Sequence, residues 1–513
     1  MSVSITRLGA LKAAAVMTLS TYVTVALGLI VSALLARQLG PDEYGRYAYV
    51  LWMVGLLVTF GNHGIPLTAS RFISEALGAG RTSDASSLYG WLQRAQWLSL
   101  AVVCALFLAL FPLFEAAGWE GDTRTFLAVT LACFLPKSVY QFHTSAAKGH
   151  WKFWVEAWGN MATSILYTAG VLVLTWADAS LKHNLYWYVI VCASHVGVVW
   201  WLRRKAGIVI TREKLTEEAR RPLMTNMWWT SLQVLIVSLG GRTVDVYLLS
   251  RLIGAAEVGY YTLASNLARG AIEMLSSSLS TLLMPTMAHA RGQGGFDHVK
   301  PILSDANRYF LFLGLTLAGA GIMWARPAVI GIYGVRYEAM VPALQWMVLL
   351  SSLALLDNPV SSLLLVIDNQ RIRTGRAVAV MVVSTTASLI LIPPYGLVGA
   401  VAASGVNAVI IIGGYSMYCY RMIGFRLPWR PMLSLLLAAC FSGGLAWLLL
   451  QVSDANWMHW LGGVVYVLVF WCLTVMLNTW SPKDLSLLIL LMQRKPNLFP
   501  KVLPWLIKRR EML

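Results

Sequence analysis

Lys137, Gln141, Thr144 and Lys148 follow one another at spacings of four, three and four, so on a helix they share one face. An ammonium, an amide, a hydroxyl and a second ammonium in that order make a polar stripe that suits a water-filled cavity. Ser265, Asn266, Arg269 and Glu273 form a second polar series, in which Arg269 and Glu273 are four apart and can instead neutralise each other. Arg242 and Asp245, three apart, present a third cation or stabilise a helix end as a local pair. All lie in apolar surroundings, where a central charge costs at least about 2.5–3.5 kcal/mol on insertion scales. For Lys137 the two readings are a wet cavity reaching the cytoplasmic side and a lysine that snorkels or is neutralised within a bundle.

Smaller polar groups extend the set. Asn62 and His63 sit between Gly61 and Gly64, which leaves backbone room for a ligand or for a neighbouring helix; a lone histidine also serves as a satisfied core group. Asn226 and Gln233 belong to a polar helix start that also holds Thr225, Thr230 and Ser231. Glu273, Asp245 and Asp357 are candidates for coupling to protons or sodium, and Asp357-Asn358-Pro359 is equally suited to breaking a helix. Walker, HExxH, GxSxG and dinucleotide-binding motifs are all missing. The six cysteines are isolated and form no CxxC or Cys/His cluster, so neither a disulfide nor a metal is expected. These residues bind; they do not make up a catalytic set. We expect no catalytic residue, no cofactor and no enzyme.

The elements that carry them are set by hydropathy. The chain is 58% hydrophobic and 12% charged, with mean hydropathy +0.65, about half the charge of a soluble protein. Its apolar runs are about 20 residues long, enough to cross a ~30 Å hydrocarbon layer as helices. Fourteen are expected, near 13–35, 47–69, 95–117, 125–147, 153–175, 185–202, 226–249, 260–286, 309–333, 341–366, 377–395, 397–420, 431–451 and 460–479. Lys and Arg concentrate in alternate connections and in the tail, which places both termini in the cytoplasm by the positive-inside rule. The net charge of +17 is thus a topology signal with attraction to anionic membrane lipids, and nucleic acid is not an expected partner.

One pattern occurs twice. Leu34 to Tyr47 and Leu248 to Tyr261, 214 positions later, both read Leu-Leu-x-Arg-x-x-Gly-x-x-Glu-x-Gly-x-Tyr. Such self-similarity at the ends of apolar runs indicates a duplicated membrane protein. Gly40/Gly254 and Gly45/Gly259 suit tight exterior turns. Pro66 and Pro285, and Pro136 and Pro359, fall comparably in the two halves and mark helices whose freed backbone could line a cavity.

The chain resembles the polysaccharide-transporter and O-antigen flippase family of the multidrug/oligosaccharidyl-lipid/polysaccharide (MOP) superfamily. The resembling stretches are Leu39 to Gly45, Arg242-x-x-Asp245, Gly254 to Tyr261, Tyr333 to Ala339 and Tyr395 to Ala400. The resemblance implies an all-α protein with two pseudo-repeated six-helix lobes around a central cavity, plus two C-terminal helices. The expected organisation is an N-terminal lobe over 1–205, a cytoplasmic linker over 206–225, a second lobe over 226–425, two helices over 426–480 and a cytoplasmic basic tail over 481–513. The implied activity is translocation of a polyprenyl-(pyro)phosphate-linked oligosaccharide across the bacterial inner membrane by alternating access, for O-antigen, lipopolysaccharide or exopolysaccharide synthesis. Lys137, Arg269 and Arg242 would meet the phosphates, and a glycan polymerase or chain-length regulator would be a partner. A cation-coupled multidrug exporter of the same architecture is the alternative. A membrane glycan polymerase or ligase is the remote one, because it needs larger external loops than these.

Overall fold

The computed structural model describes residues 7–114, 119, 122–211, 215, 217–367, 370–451, 455–477, 479–480, 484 and 486. Every regular element among them is helical. In chain order these are α1 (Arg7–Asn62), α2 (Ile65–Gly78), α3 (Thr82–Leu110), α4 (Thr123–Gly149), α5 (Phe153–Trp176), α6 (Leu181–Lys205), α7 (Glu217–Ser238) and α8 (Arg242–Leu252). They continue with α9 (Ala255–Gly294), α10 (Phe296–Tyr333), α11 (Val341–Leu353), α12 (Asp357–Ile367), α13 (Gln370–Ala408), α14 (Ser416–Met422), α15 (Trp429–Leu450) and α16 (Asn456–Met476).

Ten helices among the described residues are long and apolar enough to cross a membrane, or eleven if α7 and α8 form one bent span. Two of the ten are divided by a glycine. Gly40 (φ 74°, ψ 176°) divides α1 between the expected runs 13–35 and 47–69. Gly396 (φ 54°, ψ −128°) divides α13 between 377–395 and 397–420. Glycine is needed at both points because these backbone angles are closed to most side chains.

Other breaks refine the sequence reading. The run 226–249 is cut between α7 and α8 with a bend of 44°, where Gly241 takes φ 59°. α7 begins at Glu217, inside the stretch expected to be a linker. α2 starts after His63 and Gly64 and carries Pro66 in its first turn, where the missing N–H costs no hydrogen bond. Pro136 and Pro285 instead lie inside the continuous helices α4 and α9, so the paired prolines do not give paired breaks.

Contacts divide the chain into two compact units. The first comprises 1–264, 332–340 and 373–407. Its cores join Ile65, Ile73, Tyr89, Leu92 and Phe142 of α2 to α4 with Leu223 of α7, and Tyr140, Val155, Val199 and Leu202 of α4 to α6. The second comprises 265–331, 341–372 and 408–513. There α10 packs with α12 and α14 through Phe310, Leu363 and Tyr420, and with α15 and α16 through Leu435, Tyr466 and Phe470. The Tyr466 hydroxyl donates to the Leu315 carbonyl at 2.8 Å. Large apolar side chains on α3, α15 and α16 stay exposed, as a lipid-facing surface requires. Of the tail, only Asp484 and Ser486 are described; Asp484 accepts from Arg308 at 2.6 Å and from Tyr309. The rest of the expected basic tail lies outside the described residues.

Candidate functional site

Within the first unit the two copies of the repeated pattern meet. A Cβ added to Gly45 would run into the backbone carbonyl of Ala255, and one added to Gly259 would sit 2.9 Å from the Pro41 oxygen and 3.3 Å from the Gly45 Cα. The equivalent glycines therefore form a seam between the two turns, and their missing side chains permit backbone contact. The Tyr333–Ala339 stretch closes over it. Tyr337 donates to the Ala36 carbonyl at 2.9 Å, and the Arg37 Nε donates to the Ile332 carbonyl at 2.9 Å. Those bonds hold the turn at Gly40, where the helix ladder is interrupted. The Tyr260 and Tyr337 rings meet edge to face at 5.9 Å, and a Cβ added to Gly396 would lie 3.7 Å from the Ile253 side chain. Four stretches scattered over some 360 residues of sequence thus converge on one end of the unit. Near that end, Asp122 pairs with Lys182 at 2.7 Å, and the hydrogen bond from Lys182 holds the Asp122 carboxyl below its ordinary value.

Lys137 lies inside the same unit, on α4. Its ammonium donates to the Tyr188 hydroxyl of α6 at 2.5 Å and stands 5.1 Å from that ring's centre. Tyr188 also meets Tyr47 and Tyr167 at centroid distances of 6.2 and 5.7 Å, and the hydroxyls of Tyr47 and Tyr167 share a hydrogen bond. The partner of Lys137 is therefore a phenol cluster. Farther along the helix Lys148 pairs with Glu156 of α5 at 2.8 Å. Thr144 is buried and donates to its own helix at Gln141, whereas Gln141 is exposed and accepts from Asn62 at 2.9 Å. One face by spacing meets three environments in space.

Asn62 is the centre of a buried amide network at the α1–α2 break. Its Nδ2 donates to the Ser138 carbonyl at 3.2 Å as well as to Gln141, and its Oδ1 accepts from Gln96 at 2.9 Å. Gln96 donates also to the Ser138 carbonyl at 2.9 Å. Asn62→Ala should lower unfolding stability in detergent by about 1–2 kcal/mol, the range for buried interhelical hydrogen bonds in membranes, because Gln96 and Gln141 both lose a partner. Thermal unfolding of the purified chain measures it; an unchanged melting temperature would mean that the amides find other partners. His63 takes φ 29°, and its Nδ1 bonds the Ser231 hydroxyl of α7 at 2.8 Å. A Cβ on Gly64 would lie 2.6 Å from the Ser231 backbone nitrogen. The glycines flanking this pair thus admit a neighbouring helix.

The remaining expected residues fall as follows. Arg242 opens α8 directly after the bend at Gly241. Asp245 is 1% exposed and accepts from Tyr261 at 2.6 Å and Ser388 at 2.5 Å. Asn226 is half-buried on α7, and Gln233 donates to Thr374 at 3.5 Å. In the second unit Ser265 is buried, and Asn266 and Arg269 are exposed on α9; the Glu273 side chain lies outside the described residues. Asp357 begins α12 after a short 3-10 turn and accepts from Ser361 at 3.0 Å. The sequence reading missed Tyr188, Gln96 and Ser388, polar side chains inside apolar runs that cost free energy unless bonded. That cost was the available signal. Among the described residues, no three His, Cys, Asp or Glu side chains group as metal ligands would.

A family model described as polysaccharide biosynthesis protein matches residues 10–291. No curated protein sequence matches the chain. Among solved structures, the lipid II flippase MurJ in an inward closed conformation is similar at TM-score 0.71 and 16% identity, covering 90% of this chain and 98% of that one. An inward-facing multidrug resistance MATE family transporter is similar at TM-score 0.64 and 11% identity, covering 78% and 94%. A MOP superfamily transporter from Pyrococcus furiosus, described by a binding pocket of reversed polarity, gives 0.57 and 13%, covering 81% and 95%. At these identities the likeness establishes the fold.

Proposed function

The chain belongs to the polysaccharide biosynthesis protein family, and from that premise we propose that it is a flippase for an oligosaccharide carried on a polyprenyl (pyro)phosphate. The physical problem is moving a phosphate anion and many hydroxyls through hydrocarbon while the lipid tail stays in the bilayer. The observation that carries the reading is Lys137, a cation within α4 whose hydrogen-bond partner is the Tyr188 phenol. A phenol orients the ammonium and leaves its charge available to a phosphate. Arg269 and Arg242 are the further phosphate partners, and Gln141, Asn226, Gln233 and Asn266 the partners of the sugar. Asn62, already bonded on both ends of its amide, shapes the site and is not a sugar ligand in this reading.

The protein would lie in the bacterial inner membrane with both termini in the cytoplasm, its exterior end being the glycine seam. Alternating access would close and part that seam. Asp245, buried between two hydroxyls, is the favoured place for a proton or a sodium ion, with Asp357 and Glu273 as the other candidates. Inward movement of one positive charge is favoured by about 2.3 kcal/mol per 100 mV, which is enough to bias such a cycle.

Deletion of the gene should leave lipid-linked oligosaccharide accumulating on the cytoplasmic side without drug hypersensitivity. Hypersensitivity with normal glycan would overturn the reading in favour of a cation-coupled multidrug exporter. In proteoliposomes, Asp245→Asn should abolish any response of translocation to an imposed proton or sodium gradient; an unchanged response would remove Asp245 from the coupling.

A further inference from the structure

We propose that a groove between α5 and α6 holds an anionic phospholipid of the surrounding bilayer, with its phosphate at Lys205 and an acyl chain along Trp154, Trp158 and Trp201. The groove encloses about 460 Å³ and is lined chiefly by these three indoles, Val198 and Lys205. Trp158 and Trp201 are 55% and 59% exposed. Exposed indoles beside the basic end of a membrane helix are the usual composition of a membrane–water interface.

The charge at one end of the groove is predominantly positive. Arg203, Arg204 and Lys205 make up the last turn of α6, and Lys152 immediately precedes α5, whose start lies at the same end because the two helices run antiparallel. The acid of that end, Glu156 in the first turn of α5, is engaged by Lys148 at 2.8 Å. The groove's own cation is held at the ring level, the Lys205 ammonium lying 5.3 Å from the centre of the Trp201 ring, while Arg204 stacks at 3.4 Å on Trp200, outside the groove lining. A basic rim above an apolar, aromatic slot between two membrane helices is complementary to a single lipid with a negative head group. No lining residue of this groove belongs to the proposed phosphate-binding set, so the two assignments stand or fall separately.

Native mass spectrometry of the full-length chain released from detergent tests the proposal, with phosphatidylglycerol, phosphatidylcholine and a polyprenyl phosphate as probes. The chain should retain one phosphatidylglycerol in preference to phosphatidylcholine. Lys205→Gln should weaken that retention by roughly fivefold, as expected for one cation near an anionic lipid. The exposed pair Arg421→Gln/Arg426→Gln, in the other unit, should leave it unchanged. As a second measurement, phosphatidylglycerol brominated in its acyl chains should quench tryptophan emission, and less so in Trp158→Phe. Equal retention of both phospholipids, or equal loss in the Arg421/Arg426 control, would overturn the site. Preference for the polyprenyl phosphate at the same residues would assign the groove to a substrate lipid and equally overturn it.

Discussion

Gly45→Ala should reduce surface glycan at least fivefold while the protein still reaches the membrane. The added methyl collides with the Ala255 backbone carbonyl, and a backbone atom cannot rotate away as a side chain can. Overpacking of this kind costs about 1–3 kcal/mol. Charged against the closed seam alone, that shifts an open–closed equilibrium by about five- to 150-fold. Gly259→Ala should be milder, because its methyl would overlap the Pro41 carbonyl oxygen less deeply, at 2.9 Å. The decisive readout is access from outside. A cysteine placed at Ala255, half-buried in the parent, should react faster with a membrane-impermeant maleimide in the Gly45→Ala background than in the parent. An unchanged reaction rate together with a lower melting temperature would make the seam ordinary packing, with no part in gating.

Lys137→Gln should likewise lose surface glycan by at least tenfold with normal abundance, and Arg269→Gln should do the same. The control for Lys137 is Tyr188→Phe, which removes the 2.5 Å hydrogen bond but keeps the ring and leaves the ammonium in place. If the ammonium serves a phosphate, Tyr188→Phe should retain activity within about threefold, since the variant removes an orienting hydrogen bond but not the charge that meets the phosphate. If Tyr188→Phe fails as completely as Lys137→Gln, and both melt early, Lys137 is a strut between α4 and α6 and the phosphate assignment falls. Lys137→Arg should recover part of the activity, because the charge is kept while the point contact with the phenol is not.

The helical membrane class was legible in the sequence because lipid leaves a chain few options: long apolar runs must become helices that satisfy their own backbone. The two breaks at Gly40 and Gly396 could be anticipated because a short turn must join adjacent runs. The interruption after Ser238 could not, since the run 226–249 stays apolar through Leu239, Gly240 and Gly241 and the bend answers to neighbours such as Ser384, whose hydroxyl accepts from the Gly241 N–H at 2.9 Å. The stripe from Lys137 to Lys148 was correct as spacing. Its division among Tyr188, Asn62 and Glu156 depends on how α1, α5 and α6 are rotated about their axes, and hydropathy carries no record of rotation.

By itself, then, the sequence determined that this is a duplicated bundle of membrane helices carrying a small number of costly intramembrane charges, because composition and periodicity act along the chain. It also determined which glycines recur. Only the tertiary structure decided that Gly45 and Gly259 press on the opposite turn's backbone, and that the stretches at 39–45, 254–261, 333–339 and 395–400 share one end. It likewise decided that the partner of Lys137 is a phenol. Each of these is a contact between positions tens to hundreds of residues apart, fixed by packing that no local pattern encodes.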